Sequence, residues 1–290
     1  MTSSASTTTT AANTWVIKSL REQPKNVNSS ANHTPPSLEQ LVKEYEAIYR
    51  DNPLRWDEPY KDKYAFEVVR LYLKGTNRGI PNTMLDIGCG SGHTMEYFSS
   101  QWPMTNVYGI DLSSTAIEIT QKRVPKACCI ASSLDKTTVP EKVEFITAIG
   151  VLEHCTEAIR AFSKIRDLLS LTGIAYIEVP NCIAYPESEK VEGFRKLTTG
   201  SQQWEWHLFR KSWEERIRSS GFSINLSLKG PKPEMGFIWV LTQREQRIPF
   251  LSYLRIRGYE RGKLARMALH HSMYRLYKMT GISDCFHINH

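Results

Sequence analysis

Large apolar residues are sparse over residues 1–35, where Ser, Thr, Asn and Ala dominate. Such a stretch buries too little to offset the entropy of ordering, and a disordered leader is expected. Pro35 and Pro36 close it. Ser37-Leu-Glu-Gln40 then has capping-box spacing ahead of Leu41, Tyr45, Ile48 and Tyr49, which predicts a helix of about fourteen residues broken at Asp51-Asn-Pro53. A second amphipathic stretch, Tyr64 to Leu73, runs toward Gly75. Beyond it, short apolar runs alternate with helical patterns. Strands are predicted at Met84–Ile87, Val107–Ile110, Ala127–Ala131, Phe145–Ile149 and Ile174–Val179, with helices at Thr94–Gln101, Ser114–Arg123 and Glu157–Leu169. Strands separated by helices imply parallel βαβ units with right-handed crossovers. About a dozen residues join the third strand to the fourth, so that crossover helix is short or missing. Residues 181–206 read as an irregular segment with Tyr185, Trp204 and Trp206. A helix at Ser212–Ser220 leads to two strands, Phe222–Leu228 and Phe237–Thr242, that lie too close for a crossover and should pair antiparallel.

Composition adds exclusions. The chain has 290 residues, 41% hydrophobic and 23% charged, as expected of a globular protein. Its longest apolar runs, such as Ile174–Val179, fall far short of the roughly eighteen residues of a membrane-spanning helix. Six cysteines show no CxxC pair and no regular spacing, which argues against a disulfide or zinc framework. The first residues lack the charged start and apolar stretch of a secretory signal, so a reducing cytoplasm is the default compartment. The net charge of +7 is concentrated at one end: residues 243–290 carry nine Lys or Arg against three acids. Leu264, Met267, Ala268 and His271 in this tail have helical spacing, interrupted earlier by Gly258 and Gly262. A basic helix of this kind either packs on its own domain, the reading favoured here, or meets an anionic surface such as an acidic membrane. His270 and His271 make no metal site, since neighbours in a helix point apart.

The strongest chemical signal is Met84-Leu-Asp86-Ile-Gly88-Cys89-Gly90-Ser-Gly92-His93. Glycines between a strand and a helix permit a tight turn and close ligand approach, next to free amide groups and a positive helix end. About twenty residues on, Asp111 ends the next strand, where a carboxylate can accept hydrogen bonds from two vicinal ribose hydroxyls.

With these residues in place, the sequence resembles the class I S-adenosylmethionine-dependent methyltransferase family, in its small-molecule branch. LDIGCGSG resembles the first motif of that family, GIDLS the second, Ala148-Ile-Gly-Val-Leu-Glu-His154 the strand-four motif and Tyr176-Ile-Glu-Val-Pro180-Asn181 the end of strand five. His207-Leu-Phe-Arg-Lys-Ser-Trp213 resembles the segment before strand six, and the likeness spans about residues 80–242. The resemblance implies an α/β, Rossmann-like, mostly parallel seven-stranded sheet of order 3-2-1-4-5-7-6 with strand seven antiparallel. Residues 36–242 would form the methyltransferase domain with N-terminal cap helices, and 243–290 a basic helical extension. It further implies S-adenosylmethionine as cofactor. Gly88, Cys89, Gly90 and Gly92 would approach its methionine part, Asp86 would order the loop or hold the amine, and Asp111 would hold the ribose. Leu112, Ser132, Ser133 and Leu134 would flank the adenine, with Ile149 and Gly150 completing the site. Many relatives place an acid after strand three, where this chain has Ala131-Ser132-Ser133.

Methyl transfer needs alignment and exclusion of water, plus a base only where the nucleophile starts protonated. His154, after strand four, is one candidate base, and its alternative reading is a helix-start residue bonded to the backbone. His207 is a second, whose alternative is packing. Tyr45, Tyr49, Trp56 and Tyr60 either lid the site through their ring faces or pack helices, and Tyr185 and Trp204 are further acceptor-side candidates. The expected activity is methylation of an oxygen or nitrogen on a small, secondary-metabolite-like acceptor by a monomer or homodimer. A nucleic-acid enzyme would call for Asn/Asp-Pro-Pro-aromatic after strand four, where this chain has Gly150-Val-Leu-Glu, and no specific nucleic-acid partner is expected. A lipid methyltransferase using the basic tail and a catalytically silent cofactor-binding protein are the remaining alternatives.

Overall fold

The computed structural model describes residues 36–57, 59–181, 183, 192–196, 204–230 and 236–262. Two helices come first, α1 (Leu38–Asp51) and α2 (Pro59–Gly75). The α1 start is the predicted capping box: Ser37 Oγ accepts from Gln40 N at 3.2 Å, and Gln40 Oε1 accepts from Ser37 N at 2.8 Å. Then follow β1 (Thr83–Ile87), α3 (His93–Gln101), β2 (Asn106–Asp111), α4 (Ser114–Arg123), β3 (Cys128–Ala131), β4 (Val143–Ile149), α5 (Ala158–Leu168) and β5 (Leu169–Val179). Between β3 and β4 the crossover shrinks to one 3-10 turn at Leu134–Lys136. Next come β6 (Gly193–Lys196), β7 (Trp204–His207), α6 (Arg210–Ser219), β8 (Ser223–Lys229) and β9 (Phe237–Thr242). A last helix, α7, covers 250–262.

The main sheet has the order β3-β2-β1-β4-β5-β9-β8. Pairs from β3 to β5 are parallel, and β9 runs antiparallel to both β5 and β8. Allowing for two extra strands before β8, this is the expected order 3-2-1-4-5-7-6. The alternating side chains of the central strands feed two apolar layers, as burial on both faces requires. Leu85, Ile146, Ile177 and Trp239 pack with Phe162 and Trp213 of α5 and α6. Met84, Phe145, Tyr176 and Val240 pack on the other face with Tyr64 and Val68 of α2, Phe98 of α3 and Ile256 of α7. The helix α7 passes through Gly258 without a break, because Ile256 is fully buried and Glu260 holds Arg257 at 2.7 Å and Lys229 N at 2.8 Å.

Two expectations change. The segment expected to be irregular contains β6 and β7, which form a separate antiparallel pair from Gly193↔His207 to Lys196↔Trp204. Phe194 stacks on Trp204 at 5.6 Å, and this ring pair fixes the ladder where no long alternation announces it. The leader and the tail beyond residue 262 lie outside the described residues, as do Tyr185 and the side chain of Tyr60.

Candidate functional site

The parallel strands all end on one side of the sheet, which is where open α/β sheets bind ligands. A cavity of about 600 Å³ lies there, between the strand ends and α1. Its floor is the loop between β1 and α3. Gly88 has φ +67° and Gly90 φ +54°, conformations costly to any residue with a Cβ. A Cβ at Gly88 would meet Val151 Cγ2 at 2.4 Å, and one at Gly90 would meet the Tyr49 hydroxyl at 2.6 Å. The loop is pinned by Cys89 N donating to Ile110 O at 2.9 Å and Thr120 Oγ1 donating to Gly90 O at 2.7 Å.

Asp111, 8% exposed, accepts from Gly90 N at 3.0 Å and from Ser113 N at 2.9 Å. Burial pushes its carboxyl up to about 6, against the lowering effect of those amides. Leu112, Ser132, Ser133 and Leu134 continue the lining beside it. Ser133 Oγ is buried with no hydrogen-bond partner, an unmet polar group at the place expected for the adenine. Ile149, Gly150 and His154 border the cavity from the β4 side, and Tyr45 and Tyr49 roof it with Trp56. Centroids of Tyr45 and Trp56 are 6.2 Å apart, and those of Tyr49 and Trp56 5.2 Å.

His154 Nδ1 lies 2.7 Å from the Trp204 carbonyl, which can only accept. The neutral ring therefore carries its hydrogen on Nδ1 and its lone pair on Nε2, 3.6 Å from Glu153 Oε1. Trp206 Nε1 donates to Cys155 O at 2.8 Å, so β7 holds the loop after β4 at two points.

Several expected site residues stand elsewhere. Asp86 is buried beneath the loop and accepts the Thr147 hydroxyl at 2.6 Å, and burial pushes it up to about 7. Gly92 is the N-cap of α3 and backs onto Thr120 rather than the cavity. Trp204 is turned onto Phe194 and supplies its carbonyl, not its ring, to the loop that carries His154. His207 is buried 2.9 Å from Glu205 and does not border the cavity, so its packing alternative fits the geometry.

Other lining groups escaped the sequence reading. Ser91 donates to Asp57, which also holds Arg123 at 2.7 Å, and His93 Nδ1 and Thr94 Oγ1 donate to Asp62, the latter at 2.6 Å. The bond to Asp62 raises the His93 imidazole. Glu153 and Glu178 sit inside motifs already quoted, and their place at the ends of β4 and β5 was the available signal. Asp57, Asp62 and Glu205 carried none, since α2, the linker before it and β7 reach the site only through tertiary packing. Among the described residues, no group of three metal-ligating side chains is arranged to hold an ion.

A family model described as "Methyltransferase domain" matches residues 58–224, more than half of the chain. The chain belongs to the class I S-adenosylmethionine-dependent methyltransferase family. A trans-aconitate 2-methyltransferase of Afipia carboxidovorans is 24% identical over 101 residues, covering 35% of this chain and 40% of that protein. This chain thus spans well under two thirds of the curated methyltransferase it matches. Among solved structures, an S-adenosylmethionine-dependent methyltransferase from Clostridium acetobutylicum is 12% identical, with a TM-score of 0.53 over 71% of this chain and all of that one. The Burkholderia thailandensis 1,6-didemethyltoxoflavin-N1-methyltransferase, crystallised with its named acceptor and S-adenosylhomocysteine, is 15% identical, with a TM-score of 0.53 over 76% of this chain and 97% of that one. These two methyltransferase structures share the fold. The glycine cradle, the Asp111 carboxylate and the orphan Ser133 hydroxyl are chemically suited to an adenosyl amino acid.

Proposed function

We propose that this protein transfers the methyl group of S-adenosylmethionine to an oxygen or nitrogen of a small molecule held in the cavity. The observation that carries the reading is the single cavity shared by the positive-φ glycines, the buried Asp111 and His154. Gly88 and Gly90 let the methionine part lie against main chain, Asp111 accepts from the ribose hydroxyls, and Ser133 offers its hydroxyl to the adenine. The sulfonium supplies an activated methyl, so alignment and exclusion of water provide most of the rate. Tyr45, Tyr49 and Trp56 close the roof, which shields the site and presents ring faces to positive charge. His154 Nε2 takes the proton that the acceptor gives up. Curated relatives named for trans-aconitate, and a cavity of about 600 Å³, support an acceptor of metabolite size.

The test is incubation of the full chain and a metabolite extract with cofactor carrying a trideuterated methyl group. Mass spectrometry is expected to find the label in a small molecule and to name it. Label in nucleic acid or lipid only, or none above a boiled control while the cofactor binds, would contradict the reading.

A further inference from the structure

The loop that carries His154 has little internal structure to fix its shape. It is a single 3-10 turn, Leu152–His154, in which His154 N donates to Val151 O at 3.0 Å and Cys155 N to Leu152 O at 3.2 Å. Hydrogen bonds in such turns have poor geometry, so a side chain on one needs outside support to keep a single direction. That support comes from two residues of β7. The Trp204 carbonyl accepts from His154 Nδ1 at 2.7 Å, and Trp206 Nε1 donates to Cys155 O at 2.8 Å. The Trp206 indole is set in turn by two neighbours. Its register partner Phe194 on β6 lies 5.2 Å away between ring centroids, and the Arg216 guanidinium of α6 lies 5.3 Å from the ring centroid. Arg216 is fixed by its bond to Ser212 O at 3.0 Å. His154 borders the cavity and Trp206 does not. The indole N–H therefore acts on the turn and not on a ligand: it ties Cys155 to β7 and so keeps the neighbouring ring of His154 on the Trp204 carbonyl.

We propose that Trp206 is a positioning residue for methyl transfer: through Cys155 it holds His154 in the Nδ1–H tautomer, which keeps the lone pair of Nε2 for the acceptor's proton. This rests on the reading of His154 as the base given above. A neutral imidazole carries its hydrogen on either nitrogen, and only one of the two forms has a base at Nε2. The Trp204 carbonyl accepts and cannot donate, so a ring that stays on it excludes the other form. In the transfer, the acceptor's proton passes to Nε2 while the acceptor's electron pair forms the bond to the methyl carbon. The carbon–sulfur pair stays on sulfur as a neutral thioether, and the ring becomes an imidazolium with a hydrogen on each nitrogen. The Trp204 carbonyl is already placed to stabilise that charge through Nδ1, and Glu153 Oε1 lies 3.6 Å from Nε2. Without the Trp206 donor, Cys155 O loses this partner and the turn is no longer tied to β7. A shift of about 1 Å at the reacting groups costs up to about a hundred-fold in rate, even when its cause touches no ligand.

The experiment joins two measurements on the full chain. One is nitrogen NMR of isotope-labelled histidine in protein saturated with S-adenosylhomocysteine at about pH 8, with the His154 signals assigned by their loss in His154→Gln. The other is the rate at which trideuterated methyl passes from S-adenosylmethionine to the small-molecule product of a metabolite extract. Wild type is expected to show a protonated Nδ1 and an unprotonated Nε2 at His154. Trp206→Phe keeps a ring beside Phe194 and Arg216 but removes the donor. It should give tautomer-averaged shifts at His154 and transfer label about ten-fold more slowly or worse, with affinity for S-adenosylhomocysteine within about two-fold. A tryptophan that only supports the fold would leave the His154 shifts where they are. A protonated Nε2 in wild type, unchanged His154 shifts in Trp206→Phe, or changed shifts at an unchanged rate would each overturn the inference and spare the methyltransferase reading. So would loss of S-adenosylhomocysteine affinity in Trp206→Phe, or label transfer by His154→Gln at the wild-type rate. Wild type that binds no S-adenosylhomocysteine or transfers no label would overturn both.

Discussion

Gly90 and Asp111 act as a pair, because the amide of one is already spent on the carboxylate of the other at 3.0 Å. In Gly90→Ala the new methyl must sit at φ +54° with the Tyr49 hydroxyl 2.6 Å away. We expect about 1–2 kcal/mol of strain and roughly ten-fold weaker binding of S-adenosylhomocysteine, read by calorimetry. An unchanged affinity would remove the loop from the ligand's path. Asp111 and Asp86 predict opposite pH trends for stability and binding. Burial raises both carboxyls, to about 6 and about 7, above the ordinary 3.8, so the folded state binds more protons than the unfolded one in that window. Their favourable contribution is present at low pH and lost as pH rises through 6 to 7. The ligand-free protein should therefore melt roughly 2–4 °C higher at pH 6 than at pH 8, for about 1 kcal/mol of relief. Affinity for S-adenosylhomocysteine should fall below about pH 6, as Asp111 gains a proton and accepts less well from hydroxyls. Asp86→Asn should flatten the melting trend and leave the binding trend in place.

At the scale of elements, the roof depends on one latch. Glu46 of α1 accepts from the amides and hydroxyls of Ser114 and Thr115 at the start of α4, including Thr115 Oγ1 at 2.6 Å. Partial burial raises its carboxyl, but these donors outweigh that and lower it to about 2. The latch should therefore hold above pH 4.5 and fail only as pH falls toward 2. Glu46→Ala frees α1 from α4, and we expect faster amide exchange along α1 with about three- to ten-fold weaker cofactor binding and a nearly unchanged melting temperature. Equal exchange in wild type and variant would mean that the roof is held by Tyr45, Tyr49 and Trp56 alone. Elements with a strong local signal were legible in the sequence: the α1 capping box, the glycine turn and the apolar runs of β1, β4 and β5 define themselves within a few residues. The pair β6 and β7 was not, since four residues each and one Phe194–Trp204 stack decide it across a gap in sequence. For the same reason the place of Asp111 at the end of β2 follows from its spacing, whereas His207 and Trp204 are buried away from the cavity lining by the orientation of β7, a tertiary event with no local signal.

For the whole molecule, two sequence-distant ends complete one domain: α1 roofs the cavity, and α7 seals the opposite apolar layer through Ile256. Ile256→Ala should cost about 2–4 kcal/mol, seen as a lower urea midpoint with an unchanged slope. That packing predicts indifference of the α7 region to acidic vesicles, and binding that weakens steeply with salt would instead assign it to a lipid surface. No described helix is long and apolar enough to cross a membrane. The central claim, that the cavity at the strand ends is an S-adenosylmethionine site built on Asp111, is tested most directly by titrating S-adenosylhomocysteine into the wild-type chain and into Asp111→Ala at pH 7.5. The account predicts one site per chain, with affinity reduced roughly ten- to a hundred-fold in the variant, as the loss of a charge-assisted acceptor of about 1.5–3 kcal/mol requires. Equal affinities in the two proteins, or no binding to the wild type, would contradict it.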